Sequence, residues 1–122
     1  MKHLKKGRKL SRLKKQREAL LKTMLGSLIK KGKIETTEAK AKELKKLAEK
    51  VVNRIKKSSK EGKIDVSALR QVKRHVPKHI DVKEFSEIAK NFASRNGGYI
   101  RIIKKGVRLS DSAKIAIIEF VK

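Results

Sequence analysis

Residues 97–121 read GGYIRIIKKGVRLSDSAKIAIIEFV, and this stretch decides the fold class. After the two glycines, residues 99–105 contain three isoleucines and a tyrosine, and a second isoleucine-rich run follows over residues 114–121. Such patterns predict two strands. The connection over residues 106–111 is too long for a two-residue turn. We therefore expect a C-terminal hairpin over residues 98–121 with an extended, basic tip.

Before the hairpin, apolar residues recur every three or four positions, which is typical of amphipathic helices. The first stripe starts at Leu13 and ends before Gly32, a residue suited to a left-handed C-cap. Arg17 falls in the middle of this stripe, so either the helix enters the core only after Arg17 or its side chain leans out towards a phosphate.

A short strand around Ile34 follows, and Thr36 or Thr37 then caps a second helix. The predicted buried stripe of that helix consists of Leu44, Leu47, Ala48, Val51, Val52 and Ile55. Its opposite face carries Lys42, Lys46, Lys50 and Lys57. This lysine face is either a solvated surface or a phosphate contact, and the pattern leaves both open.

Two shorter helices complete the helical part, after a turn over residues 58–63. Asp65 is placed to cap the first, which Pro77 would terminate. Asp81 and Glu84 form a capping-box pattern at the start of the second. The predicted order is therefore helix, strand, three helices and two strands.

This order indicates an α+β fold of two layers, with the helices packed on one face of a small mixed or antiparallel sheet. The strand around Ile34 can pair beside the hairpin. The chain has 122 residues, a length that suits one domain, and we expect residues 1–122 to form it.

The composition points to a polyanionic partner. The chain has 36 Lys plus Arg against 12 Asp plus Glu, a formal net charge of +24. Leu, Ile, Val and Phe make up about 28% of the residues, above the roughly 20% below which a highly charged chain stays disordered. Part of the chain should therefore fold. Nucleic acid is the usual polyanion, because Lys and Arg release its condensed counterions.

The first 17 residues contain nine bases and no acid, and we interpret residues 1–12 as a basic arm that orders on its partner. The start is basic but is not followed by an apolar stretch, so we expect no secretory signal. No apolar run exceeds four residues, so we expect no membrane span.

Catalytic and metal chemistry is not indicated. There is no Cys, and the acids are scattered among lysines. His75 and His79 have the spacing of two metal ligands on a helix, but Pro77 lies between them and no third ligand follows. We predict no enzyme, no metal, no cofactor and no small-molecule substrate.

Recognition of nucleic acid should rely on phosphates and shape. One Tyr and three Phe do not make an aromatic platform for unpaired bases. Tyr99 is the one stacking candidate, with a half-buried strand tyrosine as the alternative. Arg95, Arg101 and Arg108 bracket the hairpin, and their planar guanidinium groups suit bidentate phosphate contact.

Four blocks of the chain are collinear with one known family. They read MKH at 1–3 with GRKL at 7–10, IETT at 34–37 with AKAKEL at 39–44, FASRNGGY at 92–99 with RI at 101–102, and DSA at 111–113 with IEFV at 118–121. In these blocks the chain resembles the bacterial large-subunit ribosomal protein L-seventeen family.

The resemblance implies a structural component of the bacterial or organellar large ribosomal subunit, located in the cytoplasm within the ribosome. It implies binding to large-subunit ribosomal RNA near the polypeptide exit region, with neighbouring ribosomal proteins as further partners. The RNA-binding set predicted from the resemblance and the charge pattern is Lys2, His3, Lys5, Lys6, Arg8, Lys9, Arg12, Lys14, Lys15, Arg17, Lys40, Arg95, Tyr99, Arg101, Lys104, Lys105 and Arg108.

Two other functions fit the charge. A nucleoid-type protein would bind duplex DNA without sequence preference, but the sequence shows no helix-turn-helix and no intercalating wedge. A membrane-surface protein would need a basic helix with an exposed aromatic face, whereas both long helices carry aliphatic stripes better explained by a shared core.

Overall fold

The computed structural model describes residues 3–4, 6–60 and 63–121. Four helices are present: α1 (Lys14–Lys31), α2 (Glu38–Ser58), α3 (Val66–Lys73) and α4 (Val82–Asn91). The strands are β1 (Lys33–Thr37), β2 (Ser59–Lys60), β3 (Lys63–Ile64), β4 (Ile100–Val107) and β5 (Lys114–Phe120). The predicted α+β class and the predicted order of the long elements are confirmed.

The main sheet has the strand order β1-β5-β4 and is entirely antiparallel. β1 pairs with β5 from Lys33 opposite Glu119 to Thr37 opposite Ile115. The β4–β5 pairing shifts register between Lys104 and Gly106, where a bulge interrupts the ladder. The strand around Ile34 therefore lies beside the last strand of the hairpin, as the sequence allowed.

The core lies between this sheet and the helices. Leu44, Ala48, Val51, Val52 and Ile55 of α2 are buried, as are Ala116 and Ile118 of the central strand β5. The same cluster includes Leu25 and Leu28 of α1 and Phe85 of α4. The helices cover one face of the sheet, which confirms the two-layer arrangement.

The predicted helix caps, which depend on residues close together in the sequence, are confirmed at three helix ends. Gly32 adopts a φ of 80° and its N–H donates to the Leu28 carbonyl, so it ends α1 as a left-handed C-cap. The Asp65 side chain accepts from Ser67 N–H at the start of α3. The Asp81 N–H donates to the Glu84 carboxylate at 3.2 Å at the start of α4.

Several details differ from the predictions. Leu13 precedes α1 and is exposed rather than part of the buried stripe, and Leu47 is only partly buried. Helix α3 ends at Lys73, with Arg74 as its C-cap, before Pro77 is reached. The predicted turn over residues 58–63 contains the two-residue strands β2 and β3, which pair with each other.

The hairpin also differs, because β4 continues through Gly106 to Val107. The tip therefore lies over residues 108–113, two positions later than predicted. It contains one base and one acid, Arg108 and Asp111, so the prediction of a basic tip was wrong.

Candidate nucleic-acid interface

Cations from three distant parts of the chain converge at the start of α2. Arg8 of the arm, Lys42 of α2 and Lys114 of β5 line one groove of about 350 Å³, together with Thr37, Glu38 and Ala39. The Nζ atom of Lys104, on β4, lies 3.9 Å from the Glu38 carboxylate at the edge of this groove. We call Arg8, Lys42, Lys104 and Lys114 the cationic cluster.

The topology explains this convergence. β1 runs directly into α2, so the N-terminus of the helix lies at the end of the sheet. Thr37, the last residue of β1, is paired with Ile115, which places the adjacent Lys114 beside the start of α2. Lys104 is opposite Ala116 on the neighbouring strand. The sheet thus brings residues separated by some seventy positions to the same helix end.

Glu38 organises the lysines of the cluster. Its carboxylate accepts from Lys42 Nζ at 2.9 Å. The hydrogen bond from Lys42 lowers the pKa of Glu38, burial acts in the opposite direction, and the charges of Lys42, Lys104 and Lys114 lower it further. Glu38 is therefore ionised at neutral pH and holds the lysines near one another.

The cluster retains donors for a ligand. An ammonium group has three N–H donors, and Lys42 uses one of them on Glu38. The side chain of Lys104 is 76% exposed. Since the N-terminus of a helix also favours anions, the groove combines a helix dipole with several exposed cations. The arrangement is suited to the phosphates of a polyanion.

The basic arm packs against α2 through an ion pair. Arg8 Nη1 lies 3.0 Å from Glu43 Oε1, and Lys46 Nζ lies 3.2 Å from the same oxygen. Burial raises the pKa of Glu43, but the hydrogen bonds from Lys46 and Arg8 outweigh it and the net shift is downward. Gly7, with a φ of 106°, allows the arm to pass close to this carboxylate.

Two arginines fold the arm onto itself. Arg12 Nη1 donates to the Leu10 carbonyl at 2.8 Å, and Arg17 Nη1 donates to the Arg12 carbonyl at 3.5 Å. Arg17 is half-buried and the fully buried part of α1 begins at Leu25. This supports the alternative in which α1 enters the core only after Arg17.

The other predicted residues of the arm and of the start of α1 are exposed in the part of the chain that the structure describes: His3, Lys6, Lys9, Lys14 and Lys15. Lys2 and Lys5 lie outside the described residues. The exposed bases extend from the cationic cluster towards the first turn of α1, and their contact with RNA stays a prediction.

Four predicted bases of the hairpin region are engaged within the protein, as Arg8 of the arm is with Glu43. Arg101 Nε lies 2.5 Å from Glu119 Oε1, and Lys105 Nζ lies 2.9 Å from Glu35 Oε2. Arg108 makes two hydrogen bonds to Asp111, at 2.9 and 2.7 Å. Arg95 Nη1 donates to the Gly98 carbonyl at 3.1 Å. These pairs compete with phosphate for the same donors.

Tyr99 is part of the core. Its side chain is 2% exposed, and its ring meets Phe92 edge-on with centroids 5.2 Å apart. Its hydroxyl accepts from Lys56 Nζ at 3.0 Å and donates to the Arg95 carbonyl at 3.3 Å. The stacking role suggested for Tyr99 was therefore wrong for this structure, because both ring faces and the hydroxyl are occupied by the protein.

Lys40 lies in a second groove, of about 460 Å³, between α1 and β1. Lys31 and Lys33 line the same groove. These two lysines, together with Lys42 and Lys114 of the cationic cluster, were not in the predicted set. The predicted lysine face of α2 included Lys42. The approach of Lys114 to the start of α2 depends on strand register, so no local sequence pattern predicts it.

The described residues contain neither a group of metal ligands nor a membrane-spanning helix. No group of three or more His, Asp or Glu is placed to hold a metal ion within ranges 3–4, 6–60 and 63–121. His75 is partly buried beside Arg54; burial and the Arg54 charge lower its pKa. None of the described helices is long and apolar enough to cross a bilayer.

The fold and the groove define a class: a lysine-rich α+β protein with a cluster of cations at a helix N-terminus. The sequence profile of the family described as "Ribosomal protein L17" matches residues 20–121. The chain belongs to this family.

Individual relatives are similar in sequence to this chain over nearly its whole length. It is 47% identical to the large ribosomal subunit protein bL17 of Thermodesulfovibrio yellowstonii, over 99% of this chain and 87% of the relative. The protein of the same name from Fusobacterium nucleatum is 46% identical over 99% of this chain and 100% of its own length. The Clostridium beijerinckii protein of that name is 45% identical, covering 93% and 96%.

Membership in this family confirms the resemblance seen in the four sequence blocks. Because the family consists of structural ribosomal proteins, it also confirms that the chain is not an enzyme.

Proposed function

We propose that this protein is a structural constituent of the bacterial large ribosomal subunit that binds and stabilises folded large-subunit ribosomal RNA. The observation that carries the RNA contact is the cationic cluster, in which Arg8, Lys42, Lys104 and Lys114 converge on the start of α2. Family membership supports the ribosomal assignment, since the relatives are named as large-subunit proteins.

The mode of binding follows from the residues in the groove. Lysine ammonium groups and a helix N-terminus attract phosphate oxygens and carry no base-edge specificity. The burial of Tyr99 removes the one aromatic candidate for stacking on a base. The protein therefore recognises the position of phosphates on a folded RNA rather than a sequence.

The basic arm contributes Arg8 to this surface. Arg8 is held by Glu43 in the free protein, and it lines the same groove as Lys42 and Lys114. We propose that the whole chain acts as one domain in the cytoplasm, within the ribosome, with neighbouring ribosomal proteins around it. Its place near the polypeptide exit region is supported by the family resemblance, and cross-linking to nascent chains on the ribosome tests it.

The RNA contact is tested by binding to large-subunit ribosomal RNA at several salt concentrations. Lys104→Gln and Lys114→Gln each remove one exposed base of the cluster while keeping the Lys42–Glu38 contact. Each should weaken binding and reduce the slope of log affinity against log salt by about one. Lys83→Gln, on α4, removes the same charge outside the cluster and is the matched control.

Equal slopes for the cluster variants and Lys83→Gln would contradict the cationic cluster as an RNA site. Duplex DNA at the same nucleotide concentration serves as a competitor. Equal competition by DNA and by structured RNA would favour the nucleoid-type alternative.

A further inference from the structure

A groove follows the free edge of β1. In the sheet order β1-β5-β4, β1 has a neighbouring strand on one side only. Residues 33–36, whose side chains alternate between the two faces of the sheet, all line the groove of about 460 Å³. The groove therefore lies along the edge of β1, between this strand and α1, and we call it the edge groove. Helix α1 contributes Leu20, Thr23, Met24, Ser27 and Lys31 to it, and α2 contributes Lys40.

The backbone of β1 presents donors to this edge. The Phe120 N–H donates to the Gly32 carbonyl at 3.1 Å. Bonded and non-bonded pairs alternate along antiparallel strands, so the next residue of β1 that bonds to β5 is Ile34. The N–H groups of Lys33 and Glu35 consequently point away from β5, towards the edge groove.

The lysines of the edge groove carry positive charge that no acid balances. Lys31 and Lys33 are exposed and Lys40 is half-buried. In the part of the chain that the structure describes, none of these three ammonium groups takes part in an ion pair. Glu35 also lines the groove, but its carboxylate is paired with Lys105 at 2.9 Å. The edge groove is therefore suited to an anionic ligand.

The spacing of these lysines indicates a polyanion rather than a single phosphate. Lys31 and Lys33 lie where α1 passes into β1, and Lys40 lies beyond the other end of the strand. The five residues of β1 span roughly 15 Å. A chain of successive phosphates can contact cations at both ends of the strand, which one small anion cannot do.

The edge groove is separate from the cationic cluster. Lys40 lines the edge groove, whereas Lys42 lines the groove of the cluster. The two residues are two positions apart on α2, which corresponds to about 200° around the helix axis. Their side chains therefore leave α2 in nearly opposite directions, and the two grooves lie on opposite sides of its start.

We propose that the edge groove binds a second segment of RNA, so that the protein joins two RNA segments across the start of α2. Phosphates of the second segment accept hydrogen bonds from Lys31, Lys33 and Lys40 and from the outward N–H groups of β1. The cationic cluster binds the first segment. The identity of the polyanion rests on the proposed function, whereas the joining of two segments goes beyond it.

Charge favours RNA over the other ligands of a free strand edge. Such an edge can also pair with a peptide strand or with a second copy of the chain. A second copy would bring another +24 to the interface, and like charges disfavour that association. A neutral peptide would cover the three lysines without supplying a counter-charge. RNA supplies one phosphate per nucleotide, and an acidic peptide is left as an outcome of the test.

The test places a photo-cross-linking amino acid at Thr23 or at Ala39 of the full chain bound to large-subunit ribosomal RNA. Thr23 lines the edge groove and Ala39 lines the groove of the cluster; both are exposed and uncharged, so every cation is kept. Val66 on α3, which is 61% exposed, is the control position. We expect RNA adducts from Thr23 and Ala39 in two different RNA helices, and none from Val66.

A double variant then separates the two grooves. Lys31→Gln together with Lys33→Gln should remove the Thr23 adduct, keep the Ala39 adduct and reduce the slope of log affinity against log salt by about two. Lys83→Gln together with Lys90→Gln, on α4, removes the same charge and should leave both adducts and the slope unchanged. Urea unfolding of both double variants checks that the fold is retained.

Four results would overturn the inference: no adduct from Thr23, an adduct from Thr23 with a protein, adducts from Thr23 and Ala39 in the same RNA helix, or an unchanged slope for the Lys31 and Lys33 variant. In each of these cases a persisting RNA adduct from Ala39 would leave the proposed function intact. Failure of the unaltered chain to bind large-subunit ribosomal RNA would instead contradict the proposed function and the inference together.

Discussion

Acidic residues set the positions of bases on this protein. Glu38 holds Lys42 at the start of α2, and Glu43 holds Arg8 and Lys46. Asp111 does the same for Arg108 at the tip. The few carboxylates among 36 bases therefore order the cations that face solvent. They also decide which bases remain free for phosphate.

Asp111 provides a test at the residue scale. The hydrogen bond from Arg108, followed by that from the Ala113 N–H, lowers the pKa of Asp111 from 3.8 to about 2. A carboxyl whose pKa is lower in the folded state stabilises the fold above its unfolded pKa, and this contribution is lost as the pH falls towards 2. The carboxyl carbon of Asp111, followed by NMR between pH 1.5 and about 6, should titrate near 2.

Arg108→Gln is the control for that titration. Without the guanidinium, the pKa of Asp111 should rise towards the ordinary value of about 3.9. A midpoint near 3.9 in the unaltered protein would show that the Arg108–Asp111 contact is absent in solution.

At the scale of single elements, the packing of α1 against the residues after α3 depends on one glycine. A Cβ built on Gly26 would lie 2.6 Å from Pro77 Cγ and 2.8 Å from Pro77 Cδ. Gly26→Ala would normally favour a helix by about 1 kcal/mol. Here the clash should reverse the sign and destabilise the protein by roughly 1–3 kcal/mol.

Denaturant unfolding measures this effect. Ser27→Ala, at the next position of α1, is the control and should change the free energy of unfolding by less than about 1 kcal/mol. If Gly26→Ala stabilised the protein, the close approach of α1 to Pro77 would be wrong.

Helix α2 allows a comparison of two leucines on one stripe. Leu44 is fully buried, whereas Leu47 is only partly buried. Leu44→Ala should lower the free energy of unfolding by roughly 2–5 kcal/mol, because it leaves a cavity. Leu47→Ala should cost clearly less. Equal losses in urea unfolding would contradict the orientation of α2 against the sheet.

Sequence patterns were informative about elements and weak about contacts between them. The caps at Gly32, Asp65 and Asp81 depend on neighbouring residues, so a local pattern predicts them. The bulge near Lys104 and the approach of Lys114 to the start of α2 depend on strand register. Tyr99 directly precedes β4, and its burial depends on Phe92 and Lys56, which lie elsewhere in the chain.

The dependence on contacts between elements also explains why the candidate site was predicted only in part. Charge counting predicted a polyanion and selected the arm and the hairpin as the basic segments. It could not show that the hairpin bases Arg101, Lys105 and Arg108 have acidic partners. Nor could it show that Lys42 and Lys114 share a groove with Arg8. Ion pairs with acidic side chains therefore decide which cations remain available to an anionic ligand.

On the scale of the whole molecule, positive charge exceeds negative charge by a wide margin. A chain with a formal net charge of +24 repels itself when free, and a polyanion that covers the cationic cluster and the arm would relieve that repulsion. The net charge therefore favours the polyanionic partner that we propose.

Sucrose-gradient sedimentation of a cell lysate that contains the tagged full chain, before and after a high-salt wash, tests whether the protein is part of the large ribosomal subunit. We expect the chain to migrate with large subunits and to stay with them after the wash, and we expect ribonuclease treatment to release it. Migration with DNA, with membranes or at the top of the gradient would contradict a role in the large ribosomal subunit.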